Sequence, residues 1–191
     1  MLWEPIRYLE TCPSSDGACA MVLASERQAA RAPRKPAWVL ATAMRSEPTM
    51  FPGRNQINPL AGLECAAELY RQAGVSRPRA EIDVAEIYVP FSWFEPMWLE
   101  NLGFCELDQG WRLTDQGATE MTGDIPINPS GGVLSSNPIG ASGMLRFAEA
   151  ALQVRGQAGE HQIEGAKVAL GHAYGGGSQF FAMWLVGTEK P

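Results

Sequence analysis

Ile127-Asn-Pro-Ser-Gly-Gly-Val-Leu-Ser-Ser-Asn-Pro-Ile-Gly-Ala-Ser-Gly143 is the stretch on which the fold turns. Its Asn, Pro, Ser and Gly content predicts a loop over Asp124 to Gly140, because these residues supply turn dihedrals and side-chain bonds to the backbone. A helix follows over Ala141 to Val154, with Leu145, Ala148, Ala151 and Leu152 at helical spacing. Pro138 falls at the first helical position, where a missing N–H costs nothing. Asn137 therefore stands at a helix N-terminus, where a developing oxyanion would meet the positive end of the dipole.

Working outward, Ile82 to Val89 reads as a strand on the N-terminal side of the loop. Before it, Ala37 to Met44 reads as a strand and Asn58 to Ala73 as a helix. That helix carries Leu60, Leu63, Ala66, Ala67, Leu69 and Tyr70 on one side and has Gly74 at its C-cap. Trp93 to Leu102 reads as a further helix, ended by Gly103. On the C-terminal side, Ala166 to Gly171 and Gln179 to Val186 read as strands joined by Gly171-His-Ala-Tyr-Gly-Gly-Gly177. The order β-α-β-α-α-β-β predicts an α/β layered domain with a mixed sheet. Nearer the start, Ser14 to Gly17 reads as a turn, the apolar run Gly17 to Ala24 as a strand buried on both sides, and Glu26 to Arg31 as one or two helical turns. Pro33-Arg-Lys-Pro36 is the clearest boundary, which divides the chain into residues 1–35 and 36–191.

With 191 residues, 46% of them hydrophobic, the chain can bury one core, or one core and a fragment of another. A net charge of −6 argues against nucleic acid and anionic membranes as partners. The basic group Arg31, Arg34 and Lys35 is broken by Pro33 and Pro36 and reads as a solvated linker. No apolar run approaches the ~20 residues of a membrane span, and no secretory signal opens the chain. Cys12, Cys19, Cys65 and Cys105 have neither metal nor disulfide-framework spacing, so a reducing cytoplasm is expected and inert thiols are the simpler reading. With two histidines, no multi-histidine metal site is expected.

Four stretches together resemble the thiolase superfamily, in particular the sterol-carrier-protein-type thiolases. Cys12-Pro-Ser-Ser-Asp-Gly-Ala18 resembles "CCPxSDGAAA", and Ile82 to Ser92 resembles the strand ending in "VHDCFS". Ile127 to Gly143 resembles "NPSGGLxSxGHPxGATG". Leu152-Gln-Val-Arg-Gly-Gln-Ala-Gly159 with Gly165-Ala-Lys-Val-Ala-Leu170 resembles "LQLRGEAGxRQVxGAKVAL". The resemblance implies a thiolase-like layered domain, with a mixed five-stranded-type sheet and helices on both faces. It makes residues 1–35 the tail of a thiolase N-terminal domain and 36–191 a C-terminal domain. The segment with the family's nucleophilic cysteine would precede Met1. The substrate implied is a coenzyme A thioester, with no bound cofactor. The partners implied are a missing N-terminal half or a second copy in a dimer, and an OB-fold or zinc-ribbon protein.

Three motif positions depart from the family. Tyr88 stands for the histidine and Pro90 for the cysteine of "HDCF", and Asn137 stands for the histidine of "HPxGA". An amide is no base near neutral pH but can donate to a carbonyl oxygen. A phenol titrates near ~10, so Tyr88 would need a shifted pKa to serve as a base at pH 7. The departures argue against Claisen condensation and thiolysis. They resemble a lipid-transfer-protein subgroup of retro-aldolases that cut β-hydroxyacyl-CoA side chains from steroids with a tyrosine base, although a tyrosine is expected there where Asn137 stands.

The resemblance makes Tyr88 a general base or oxyanion donor, against a strand-end tyrosine that merely packs. Asn137 is a candidate carbonyl donor, against a loop asparagine bonded to its own backbone. His172 and Tyr174 are further catalytic candidates. Phe91, Trp93, Gly140, Gly175 and Gly176 are candidate substrate-binding positions, the glycines allowing close backbone approach. Two other readings stand beside an enzyme: an inert acyl-CoA-binding scaffold, and a truncated product.

Overall fold

Alternation in the last strand divides the interior in two. In β4 (Phe180–Gly187) Phe181, Met183 and Leu185 belong to one hydrophobic cluster, while Val186 belongs to a second, against which Trp184 packs. Side chains one residue apart on a strand point opposite ways, so one strand serves both clusters. The computed structural model describes residues 1–191. β4 lies between β1 (Trp38–Ser46) and β3 (Val168–Gly175), antiparallel to both, and β3 runs parallel to β2 (Val84–Glu86). The order is β1-β4-β3-β2.

The sheet has four strands where five were expected. The place beside β2 is taken by a single parallel bridge, Ala85 to Ile127. Ala85 N–H donates to Pro126 O and Asn128 N–H to Ala85 O. Pro126 has no N–H to offer a ladder and Asn128 has a positive φ of 50°, so pairing stops after one residue. Gly17 to Ala24 also departs from expectation: it forms no strand, and Val22 and Leu23 are exposed. A strand's backbone groups need a neighbouring strand, and none in this chain reaches it.

The helices are α1 (Glu26–Ala29), α2 (Leu60–Ala73), α3 (Pro78–Glu81), α4 (Phe94–Asn101), α5 (Gly110–Asp115), α6 (Gly132–Ser135) and α7 (Ile139–Arg155). α2 packs on β1 and β4 through Cys65, Ala66 and Leu69, in the cluster of Phe181, Met183 and Leu185. Each fully buried leucine there contributes about 1.5–3 kcal/mol. Gly74 caps α2 with φ 70°, as its spacing predicts. α7 packs on β3, β2 and β4, with Ala150 and Val154 against Val84, Ala169 and Val186.

The buried stripe of α7 is not the predicted one. It runs through Ser142, Arg146, Ala150, Gln153 and Val154, while Leu145, Ala148, Ala151 and Leu152 flank it half-buried. Pro138 is the N-cap and Ile139 the first helical residue, one position later than expected for Pro138. β3 extends to Gly175, so most of the predicted Gly171–Gly177 connection is strand, and the reversal is made by Gly176, Gly177 and Ser178, all with positive φ. Gly171 is inside β3 because a Cβ there would sit 1.9 Å from Trp184 Nε1.

A candidate phenol–amide centre between β2 and α7

Tyr88 follows β2 by two residues and Asn137 sits just before the N-cap of α7, so the packing of that helix on the strand brings them together. Tyr88 Oη donates to Asn137 Oδ1 at 3.0 Å, and Ser142 Oγ, one turn into α7, donates to the same oxygen at 2.7 Å. Asn137 is 4% exposed. With both lone pairs of Oδ1 occupied by hydroxyl donors, the amide orientation follows: Nδ2 is the free donor end. It meets Cys12 Sγ at 3.1 Å, a weak acceptor. Asn137 N–H donates to Ser15 Oγ at 3.2 Å, and Cys12 N–H donates to Pro90 O at 2.8 Å. The "CPSSDGA" stretch thus folds onto the other two motifs.

Tyr174, on β3, completes the polar end. Its ring stands edge-on to that of Tyr88 with centroids 5.2 Å apart. Burial is the main cause that pushes both phenols above their ordinary value, and the half-buried Tyr88 still faces some solvent. Both are therefore protonated at neutral pH. The Tyr174 ring stacks on Phe94, and Phe94 stacks on Phe91 and Trp93. Phe91 and Trp93 lie parallel at 4.7 Å, and Trp93 is 39% exposed. An aromatic wall so runs from the phenol pair to the surface.

The remaining predicted residues divide. Gly175 and Gly140 have open space where a Cβ would be, whereas Gly176 has a left-handed backbone with Phe180 beside it. His172, a catalytic candidate weighed against a satisfied strand-end histidine, lies in the interior. It is 0% exposed, behind Tyr88, among Trp98, Tyr174 and Phe181. The residues of β3 between Gly171 and Gly175 alternate across the sheet, and His172 points into the core. Tyr88 N–H donates to His172 Nδ1 at 3.4 Å, and Nε2 has no partner. Burial lowers its pKa to about 3, which keeps it neutral.

Two buried residues of this region, Glu86 and Arg146, and the half-buried Ser130 had not been expected at the site. Glu86 Oε2 lies 2.5 Å from Arg146 Nη1, and Ser130 bridges them: its Oγ donates to Glu86 Oε2 at 2.7 Å and its N–H to Oε1 at 3.1 Å. Burial raises the Glu86 carboxyl against the opposing pull of Arg146 and Ser130. A glutamate in the middle of an apolar strand, two residues before Tyr88, was the available signal. A separate open groove of about 1000 Å³, lined by residues including Arg79, Asp83 and Asp124, shares no residue with this centre.

The geometry agrees with comparisons to known proteins. The family model described as Thiolase C-terminal domain-like matches residues 48–187. An acetyl-CoA acetyltransferase of Methanothermobacter thermautotrophicus is 35% identical over 92% of this chain and 46% of its own length. Sterol carrier protein 2 of Homo sapiens is 38% identical over 99% of this chain and 36% of its own. The solved Ltp2-ChsH2(DUF35) aldolase superposes with a TM-score of 0.82 at 25% identity, covering 97% of this chain and 48% of that one. The chain spans about half, or less, of these relatives. No helix is long and apolar enough to cross a membrane. With the family model covering most of its length and the motifs meeting at one point, the chain belongs to the thiolase family through a thiolase C-terminal domain.

Proposed function

We propose that this chain is part of an enzyme that cleaves a carbon–carbon bond in a β-hydroxyacyl-CoA thioester. The observation that carries the reading is the locked amide. Tyr88 and Ser142 hold Asn137 Oδ1, and Nδ2 is left as a fixed donor beside two phenols. The aldolase among the similar structures supports the same reaction class.

In the proposed step Tyr88, having given its Oη proton to solvent, lets go of Asn137 Oδ1, which Ser142 Oγ still holds, and takes the proton of the β-hydroxyl. The Cβ–O bond becomes a carbonyl as Cα–Cβ breaks, and the electron pair passes to the thioester as an enolate. Asn137 Nδ2 donates to the enolate oxygen, assisted by the N-terminal dipole of α7. Cα then takes back the proton, which leaves a ketone or aldehyde and a shorter acyl-CoA. No covalent acyl-enzyme is needed. The aromatic wall of Phe94, Phe91 and Trp93 would receive a flat apolar acyl body such as a steroid side-chain substrate, with Gly140 and Gly175 admitting the thioester. We assign residues 1–35 to the edge of an N-terminal domain and the remainder to the C-terminal domain. A complementary thiolase half, a second copy, or an OB-fold partner would complete the assembly, in a cytoplasmic setting.

The test is release of the carbonyl product from a β-hydroxyacyl-CoA, measured with the chain alone and with a thiolase N-terminal half added. Tyr88→Phe is expected to lower turnover by about 10²–10⁴-fold, the usual contribution of a positioned acid–base group. Unchanged turnover in Tyr88→Phe overturns the role of Tyr88. Binding of acyl-CoA with no turnover in any combination supports the second reading, an inert acyl-CoA-binding scaffold. That reading draws on the burial that keeps both phenols protonated.

A further inference from the structure

β2 and α7 are joined by two polar ties of matching spacing. The first runs from Tyr88 to Asn137 Oδ1, which also accepts from Ser142 Oγ; the second is Glu86 to Arg146. Glu86 and Tyr88 are two residues apart, so they share one side of the extended chain, about 6.6 Å from each other along it. Ser142 and Arg146 are four apart, so they share one side of the helix, about 6 Å from each other along its axis. The two advances agree closely, so both ties are satisfied by one register of helix against strand.

A slide of one residue along the strand would turn Glu86 away from Arg146. Such a slide would leave a carboxylate and a guanidinium buried without partners, which is strongly disfavoured. Tyr88 Oη and Asn137 Oδ1 are neutral groups and impose a weaker penalty than a buried charge. The register is therefore held by the deeper tie. Ser130 adds the loop to the same junction: Arg146 Nη1 donates to Ser130 Oγ at 3.0 Å, and Gly132 N–H donates to that oxygen at 3.2 Å. Strand, loop and helix are all pinned at one point, one turn below Ser142.

We infer that Glu86 and Arg146 are positioning residues: their buried pair sets the register of α7 on β2 and so fixes the Asn137 carboxamide opposite Tyr88. The inference takes the Tyr88–Asn137 pair as the site but does not depend on which reaction occurs there. Both polar contacts of Arg146 are made by Nη1, and its Nε has no partner. A lysine ammonium offers one nitrogen with several donors, so Arg146→Lys can replace both contacts.

The test is hydrogen exchange by NMR on the full chain, which reads position rather than turnover. The probes are the Asn137 side-chain amide, assigned by its loss in Asn137→Asp, and the backbone amides of Leu170 and Leu185 in the core. The main variant is Glu86→Gln with Arg146→Met. Its glutamine keeps an acceptor for Ser130 and its methionine fills the space without charge. The expected result is exchange at the Asn137 amide faster by about tenfold or more, with Leu170 and Leu185 protected as in the parent. Arg146→Lys is expected to stay within about threefold of the parent at all three probes. An Asn137 amide unmoved in the double variant overturns the inference. So does loss of protection at Asn137, Leu170 and Leu185 together, which would mark a merely structural pair. Should the double variant not fold, Glu86→Gln alone decides by the same two criteria.

Discussion

Asn137→Asp removes the one group that the proposed reaction assigns to the thioester oxygen, and its carboxylate beside Tyr88 also makes the phenol harder to ionise. The replacement is nearly isosteric. An aspartate carboxylate keeps an oxygen where Oδ1 lies, so Tyr88 Oη and Ser142 Oγ retain their acceptor at 3.0 and 2.7 Å. What it loses is Nδ2, whose partner in the free chain is the Cys12 thiol. A hydrogen bond to a thiol contributes little and charge strengthens the two that remain, but a carboxylate at this buried position costs desolvation, so the net loss of stability is about 1–2 kcal/mol. For a chain of this size each kcal/mol is a melting shift of about 2–4 °C. The kinetic change is larger. Removing one oxyanion donor costs about 10²–10³ in kcat, or roughly 2.7–4 kcal/mol of transition-state stabilisation. The assay pairs thermal melts with initial rates of carbonyl release from a saturating β-hydroxyacyl-CoA. A kcat within about threefold of the parent refutes the donor role, since one missing donor should cost far more than that. A fall in melting temperature large enough to account for the lost rate refutes it equally, because the effect would then be structural.

Other predictions follow from single features. Ionised tyrosine is scarce at neutral pH when burial raises Tyr88 and Tyr174 above 10.0, so log kcat/KM is expected to rise about one unit per pH unit from pH 7 to 10; a plateau near pH 7 would instead identify an imidazole. His172 carries a pKa of about 3 against an ordinary 6.5. The unfolded chain binds its proton first as pH falls below 6.5, so stability drops, by about 2 kcal/mol between pH 7 and 5. His172→Phe removes that part of the drop, which urea midpoints at the two pH values will show. Gly171→Ala forces a methyl against Trp184 and is expected to destabilise by about 1–3 kcal/mol in thermal or urea unfolding.

The sequence was legible wherever a local rule and the tertiary fold agreed. Gly74 caps α2 because a left-handed residue is wanted there, and β4 falls within one residue of its expected bounds because its apolar run meets an apolar cluster on each side. Tyr88 and Asn137 were visible as departures from a motif. Ser142, Arg146 and Glu86 were not, because reading hydrophobicity assigns polar residues to the outside. Here they face inward and satisfy one another. The spacing Ser142–Arg146–Ala150–Val154 carried the signal, in position rather than in polarity. Gly17 to Ala24 failed for the opposite reason: its composition suits a buried strand, but pairing is non-local, and no strand lies beside it.

The proposed cleavage has one further ground over thiolysis, the match between base and proton. Thiolysis moves the proton of a thiol, which titrates near ~8.5, and an imidazole suffices. Retro-aldol cleavage moves the proton of a hydroxyl, a far weaker acid. A proton transfer runs best when the two partners approach each other in basicity. Burial that lifts Tyr88 makes its ionised form rarer but also a stronger base, and so a closer match to an alcohol. The same centre has an amide where no proton needs to move and only an oxygen must be held. In the proposed reaction a phenol at the hydroxyl and a carboxamide at the thioester divide the work. On the inference drawn above, the buried tie between Glu86 and Arg146 holds the two groups at the separation this division needs.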